Sequence, residues 1–208
     1  MTFIIKHFLL ATVLAFVLTS CTTIAPSPPT NVVTPPPVTK NQQVQLEQLR
    51  TWHIKGKIAI QTAQDAGSAV VDWQQKGSHY AISLANPLGG AILKLTGEPG
   101  VVTLVTADGK AFTADSPEQL LAKQWGFHLP VSNLTYWIRG LPVPQIEHSS
   151  QFDARHRLQK LVQQGFVVEF LSYEQIGELD LPSKIKITSS ALKIKLVIYS
   201  WQLPVYSY

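Results

Sequence analysis

From Lys57 onward apolar residues recur at every second position, and that period limits what the chain can build. Ile58 and Ile60 alternate with Lys57, Ala59 and Gln61, and Val71 and Trp73 with Asp72 and Gln74. Tyr80, Ile82 and Leu84 alternate with His79, Ala81 and Ser83. Such a period gives a strand one wet face and one apolar face. Ala91 to Thr96 and Val101 to Thr106 continue it, separated by the turn sequence Gly97-Glu98-Pro99-Gly100. Asp108-Gly109 suits a type I′ hairpin turn. Strands resume near Leu158. There Phe166, Val168 and Phe170 share a face, Ile185 and Ile187 alternate with Lys184, Lys186 and Thr188, and Leu192 to Ile198 alternate with Lys193 to Tyr199. No solenoid period is present. The reading is an antiparallel meander.

Helices interrupt it. Asn41 to Trp52, with Val44, Leu46, Leu49 and Trp52 among polar residues, reads as a helix. Ser116-Pro117-Glu118-Gln119 offers an N-cap, a proline at N1 and a capping-box glutamine, with Leu120, Leu121 and Trp125 as the apolar side. Ser132 can cap a third helix, whose Leu134, Trp137, Ile138 and Leu141 form one stripe until Gly140 and Pro142 end it. A sheet with one apolar face must curl or be covered. A curled sheet with short helices over its mouth can enclose an apolar cavity.

The amino terminus is a processing signal. Lys6 precedes an apolar run from Phe8 to Leu18, and Leu18-Thr19-Ser20-Cys21 follows the pattern of a bacterial lipobox. The run is shorter than the ~20 residues of a spanning helix. Cleavage before Cys21 leaves a cysteine that takes an S-diacylglycerol thioether and an N-acyl chain such as palmitate. Each buried methylene contributes about 0.8 kcal/mol, so several chains hold where one is marginal. Thr22, and not aspartate, follows the cysteine, which points to the outer membrane. The organisation expected is therefore a signal peptide at 1–20, the lipidated cysteine and a Pro-rich tether at 21–40, and one folded domain at 41–208. Pro26, Pro28, Pro29 and Pro35-Pro36-Pro37 favour an extended tether.

Cys21 is the only cysteine, which excludes a disulfide and a cysteine nucleophile once it is lipidated. The net charge of +4 changes little on loss of Lys6. Lys184, Lys186, Lys193 and Lys195 alternate with apolar residues and look like a solvated strand face, not a nucleic-acid patch. Anionic lipid is the other partner such a face suits. There is no Gly-x-Ser-x-Gly elbow, no His-Glu-x-x-His and no phosphate-binding loop. His53, His79, His128, His148 and His156 are scattered, Glu147-His148 reads as chance, and Asp153 and His156 could meet a serine in space, which the sequence alone does not show. The chain reads as no enzyme, with no metal and no cofactor beyond the lipid on Cys21.

Two features allow opposed readings. In Asn86-Pro87-Leu88-Gly89-Gly90, turn residues surround a single leucine. Residue chemistry alone slightly favours a leucine folded back into the core over one that touches lipid. Trp52, Trp73, Trp125, Trp137 and Trp201 are either plain core or the lining of an acyl-chain cavity.

Several motifs together resemble the LolB family. They are the lipobox, Trp73-Gln74-Gln75, and Tyr80-Ala81-Ile82-Ser83-Leu84 running into Asn86-Pro87-Leu88-Gly89. Asp108-Gly109-Lys110, Ala114-Asp115-Ser116-Pro117-Glu118, Leu129-Pro130, Trp137-Ile138, Gly140-Leu141-Pro142 and a closing strand ending at Trp201 follow in order. Val143 to Arg157 and Leu203 to Tyr208 show little family pattern. The resemblance implies a mainly β, α+β fold: a curved antiparallel sheet forming an unclosed β-barrel, with a helical lid and an apolar cavity. It implies an outer-membrane lipoprotein, monomeric and facing the periplasm, that accepts client lipoproteins from the soluble carrier LolA and inserts them into outer-membrane lipid without consuming nucleotide. By position Leu88 matches the family's membrane-insertion leucine, which shifts the balance to an exposed residue. Trp73, Ile82, Leu84, Trp125, Trp137 and Ile138 are the expected lining of the acyl cavity. The alternative is a structural or assembly lipoprotein that binds a protein partner, and it expects an interior filled by side chains.

Overall fold

The computed structural model describes residues 40–204 except Phe127; the side chains of Lys40, Asn41 and Trp125 are likewise not described. The expected signal peptide, Cys21, nearly all of the expected tether and residues 205–208 lie outside the described residues. Helix α1 is Lys40–Gln48. Six strands follow: β1 Thr51–Gln61, β2 Ala66–Lys76, β3 His79–Ala85, β4 Ala91–Glu98, β5 Val101–Thr106 and β6 Ala111–Ala114. Then come α2 Pro117–Trp125 and α3 Val131–Trp137, and five more strands: β7 His148–Phe152, β8 Leu158–Gln163, β9 Phe166–Ile176, β10 Leu179–Thr188 and β11 Lys193–Gln202.

The strands form one antiparallel sheet in the order β6-β5-β4-β3-β2-β1-β11-β10-β9-β8-β7. Every hairpin is between neighbours except one pairing: β1 closes on β11, joining the two ends of the meander at its centre. The edges β6 and β7 do not pair, so the sheet is not closed into a barrel. The connection between those edges is the segment that carries α2 and α3.

The alternation read from the sequence becomes rows across the sheet. Trp201, Ile54, Trp73, Ile82, Leu95, Leu104 and Phe112 follow one another strand by strand on the inner face. Leu161, Val168, Ile187, Ile194 and Ile60 make a second inner row. Such cross-strand neighbours are the unit of sheet stabilisation. Trp52 packs on Trp73 and Trp201, with ring centroids at 5.2 and 5.7 Å. The single core cluster reaches from Leu46 to Trp201.

The helices cover this face for local reasons. Ser116 has extended backbone and its Oγ accepts from Gln119 N at 3.3 Å, Pro117 opens α2, and Gly126 closes it in the left-handed conformation (φ 72°). The cap predicted for α3 is different. Pro130 precedes the helix without a side-chain bond, and the Glu118 carboxylate on α2 accepts from Ser132 N at 2.8 Å. A carboxylate there satisfies an orphan donor and suits the positive end of the helix. Trp137 is fully buried and donates from Nε1 to Gln163 Oε1 at 3.1 Å. Gln163 in turn bonds Val143 O and accepts from Val143 N, so α3 and the following loop are fixed to β8.

Arg139, 5% exposed, fixes α1. It donates from Nη1 to Leu46 O and Leu49 O, both at 2.9 Å, and from Nε to Thr135 O. Burial pulls its pKa down and Arg50 adds to the effect, while Tyr136 opposes it. The compensation comes from the carbonyls at the end of α1, where a cation is favoured.

Three of the secondary-structure readings are corrected and one strand is added. The first helix ends at Gln48, and Trp52 belongs to β1, where the ladder with Gln75 and the aromatic packing outweigh a helical continuation. The β4–β5 turn is only Pro99-Gly100, with Gly97 inside β4 under the Tyr80 ring; a Cβ there would stand 2.2 Å from that ring. The Asp108-Gly109 hairpin is not type I′, because Asp108 does not take positive φ and only Gly109 does (φ 80°). The strand β7 was not read from sequence; its burial pattern shows little alternation.

Gly56 is required by close approach. A Cβ there would meet Val197 O at 2.2 Å, beside the bulge in the β1–β11 register. The obstacle is backbone, so the strands would have to part. Gly56→Ala is expected to destabilise the fold by about 1–3 kcal/mol or more, read as a lowered urea midpoint.

Candidate functional site

The β3–β4 loop is built to hold one side chain outward. Asn86 N donates to Gly90 O at 2.8 Å and Gly89 N to Asn86 O at 2.9 Å. The Asn86 side-chain oxygen accepts from Leu88 N at 2.9 Å and Gly90 N at 3.1 Å. Asparagine commonly bonds backbone two residues on in this way. Pro87 fixes its own φ, and Gly89 takes φ 92°, open to glycine at no steric cost. A Cβ at Gly90 would meet the Asn86 amide at 2.5 Å. With its polar groups bonded to one another, the loop leaves Leu88 98% exposed. The buried reading of this leucine is therefore overturned. Val70 and Ile92 are also exposed apolar residues at this end of the strands.

The residues expected to line an acyl cavity occupy the inner face. Trp73, Ile82, Trp137 and Ile138 are buried, and Leu84 is partly buried against the same cluster. Trp125 lies at the end of α2, and its side chain is outside the described residues. A cavity of about 790 Å³ opens elsewhere, at the end of the sheet opposite Leu88. It is bounded by Trp52, Tyr80 and Val101 but also by His53, Gln74, Lys76 and His79, and none of the expected lining residues borders it. Sequence reading missed it because its walls come from both faces of β1 and β2, whose ends only the fold brings beside Leu203. Burial, with help from Glu118, raises the Tyr80 phenol to about 12.

Several of the scattered polar groups bond within the fold. The two ring nitrogens of His53 lie 2.9 Å from Asp72 Oδ1 and 3.0 Å from Gln202 Oε1. Asp153 accepts from the backbone N–H of Arg155 and Arg157 and pairs with the Arg157 side chain, so it does not orient His156. His148 Nδ1 lies 3.1 Å from Ile146 O. Among the described residues no group of three His, Cys, Asp or Glu is placed to hold a metal ion.

Comparison with known proteins agrees with this geometry. Two solved structures share the fold at 8% identity. A DUF1329 family protein from Desulfovibrio piger has a TM-score of 0.54, with 81% of this chain and 92% of that one covered. A putative outer membrane lipoprotein-sorting protein domain from Vibrio parahaemolyticus has a TM-score of 0.53, with 81% and 91% covered. The outer-membrane lipoprotein LolB of Ectopseudomonas mendocina is 43% identical over 158 residues, 76% of this chain and 78% of its own. That of Pseudomonas syringae pv. syringae is 40% identical over 163 residues, 78% and 80% respectively. With residues 50–201 matched by the family model for the outer membrane lipoprotein LolB, the chain belongs to the LolB family.

Proposed function

We infer that this protein is an outer-membrane lipoprotein, anchored through acylated Cys21 on the periplasmic side. It receives client lipoproteins from the carrier LolA and delivers them to the membrane. The observation that carries the delivery step is Leu88, a large apolar side chain held in water by a loop whose own hydrogen bonds are satisfied. Fully burying a leucine stabilises by about 1.5–3 kcal/mol, and the nearest place to bury this one is a lipid surface.

Client acyl chains are held on the concave face, among Trp73, Ile82, Leu84, Trp137 and Ile138. These residues are buried or partly buried in the core, so binding requires α2 and α3, which bridge the unpaired edges, to lift. Without an energy source the client moves only toward stronger binding, from carrier to this protein and then to the bilayer. The test mixes the chain from Thr22 onward with a preformed complex of carrier and lipidated client. Client moving onto this protein supports the acceptor role. Client staying on a carrier competent with another acceptor refutes it. That second result would favour a structural or assembly lipoprotein.

The tether has a length requirement in this reading. Helix α1 leads into the end of β1 opposite Leu88, and Gln42 donates to Glu178 O in the β9–β10 hairpin at that far end. The length of β1 is about 36 Å at ~3.3 Å per residue. An extended Pro-rich chain from Cys21 to Lys40 reaches about 59 Å at ~3.1 Å per residue. Anchor and Leu88 can thus meet one membrane. Deleting about two-thirds of the tether brings the reach below the length of β1. Client insertion into anchored vesicles is then expected to fall, while uptake from the carrier in solution stays unchanged.

A further inference from the structure

The outer face of the sheet carries a charge pattern that Leu88 does not explain. Lys193 lies at the same end of the strands as the Leu88 loop, in register with Gln61 and Thr188. Lys195, Lys186 and Lys160 lie two residues further back, around Glu169. Lys57 and Lys184 lie two residues behind those, on either side of Val197. At ~3.4 Å per residue the three rows fall within about 13 Å of the end of the sheet. Lys186 pairs with Glu169 at 2.6 Å. Among the described residues the other five lysines form no ion pair. Glu98, Glu174 and Glu178 lie at the opposite end, while Asp65, Asp108 and Glu147 flank the Leu88 end in turns and loops outside these rows.

We propose that this basic face docks on anionic lipid headgroups and sets the tilt at which Leu88 enters the bilayer. The proposal rests on the reading that the Leu88 end meets the membrane. The charge is complementary to phosphate, and most of it stands within one or two Debye lengths (about 8–10 Å each) of the end that carries Leu88. A stretched lysine stem lies along apolar surface while its ammonium reaches a headgroup. Val70, exposed in the row of Lys57 and paired with it, and exposed Val162, in the row of Lys193, supply such surface. Five of these six lysines have no carboxylate partner among the described residues, which leaves their charge free for a headgroup.

The test uses the chain from Thr22 onward, which keeps the whole described core from Leu46 to Trp201. Its binding is measured by co-sedimentation with vesicles of phosphatidylethanolamine alone and of equal parts phosphatidylethanolamine and phosphatidylglycerol. Each lysine near an anionic surface contributes about fivefold. The triple variant Lys57→Gln, Lys193→Gln, Lys195→Gln is expected to lose the phosphatidylglycerol-dependent gain by at least about tenfold at low salt. A control triple, Arg50→Gln, Lys76→Gln, Lys123→Gln, removes equal charge elsewhere and is expected to keep most of that gain. Equal losses in the two triples would reduce the effect to net charge and overturn the proposal. So would binding indifferent to phosphatidylglycerol, or a patch variant that fails to take client from the carrier in solution, which would make the face a protein-docking surface. Leu88→Glu keeps the two readings apart. If it changes binding to neither vesicle while the patch triple still loses the gain, Leu88 is not the insertion residue: the tilt part of the proposal falls with it, and headgroup docking by the basic face stands alone.

Discussion

Leu88→Glu is expected to abolish delivery of client to the membrane while leaving uptake from the carrier intact. The substitution exchanges a side chain favoured in a bilayer for a carboxylate. On insertion scales that difference is up to about 4 kcal/mol, roughly a thousandfold in the membrane-engaged population. The fold should not register the change. Leu88 is 98% exposed, and surface replacements of that kind stay within about ±0.5 kcal/mol. The two halves of the result therefore separate cleanly. Client transfer into vesicles measures the loss, and thermal unfolding with client capture from the carrier provides the reference. Leu88→Ala should fall between, because it removes the apolar area without adding a charge. If Leu88→Glu unfolds the protein or blocks capture, the loop belongs to the binding step. If vesicle transfer is unchanged, the leucine has no part in delivery.

Asp180→Ala is expected to cost the fold about 3–5 kcal/mol, much of what a domain of this size has. Asp180 is 5% exposed, at the start of β10. Its Oδ2 accepts from Arg155 Nη2 at 2.9 Å, and Arg157 Nη1 lies 3.7 Å from Oδ1. Arg157 also pairs with Asp153 at 2.7 Å and lies over the Tyr173 ring at 4.6 Å. Alanine removes the carboxylate that both guanidiniums share, and both are about four-fifths buried. Urea unfolding of Asp180→Ala, Arg155→Met and the double variant gives the coupling. A double variant no worse than the worse single one would place the energy in the pair. Additive losses would show instead that the two side chains act separately. The same corner sets an acid limit. Burial pushes the Asp153 carboxyl up, but its bonds from Arg157 and the loop N–H groups outweigh that, and its pKa falls below the usual value. A depressed carboxylate contributes stability above its unfolded pKa of about 3.9 and loses it as pH falls through the folded value. Acid unfolding is therefore expected to begin in this loop below about pH 4.

Much of the fold was legible because a strand repeats every two residues. The inward faces that carry Ile58, Val71, Trp73 and Ile82 could be assigned from the sequence, since burial of one face fixes the register. The α2 cap was legible for the same local reason: Ser116 and Pro117 act on their own backbone. Where local signals failed, a distant partner decided. Trp52 looked helical until β2 and Trp201 paired with it. The α3 cap came from Glu118, fourteen residues away. Asp108 kept an ordinary backbone because a four-residue hairpin loop closed on Thr106 and Lys110. β7 carries few apolar residues and is a strand because β8 offers it an edge.

The candidate site divides in the same way. The sequence by itself determined the lipobox, the inner apolar rows and a leucine among turn residues, all of them patterns of neighbouring positions. It could not say where that leucine points, because a turn can project either way, and residue chemistry slightly favoured the core. Only the tertiary structure decided that Asn86 closes the loop on itself and leaves Leu88 outside. Only pairing across β8 to β11 and β1 gathered lysines from four strands at the end that carries Leu88. Exposure and charge polarity are properties of a surface, and a surface is set by contacts between residues far apart in the chain.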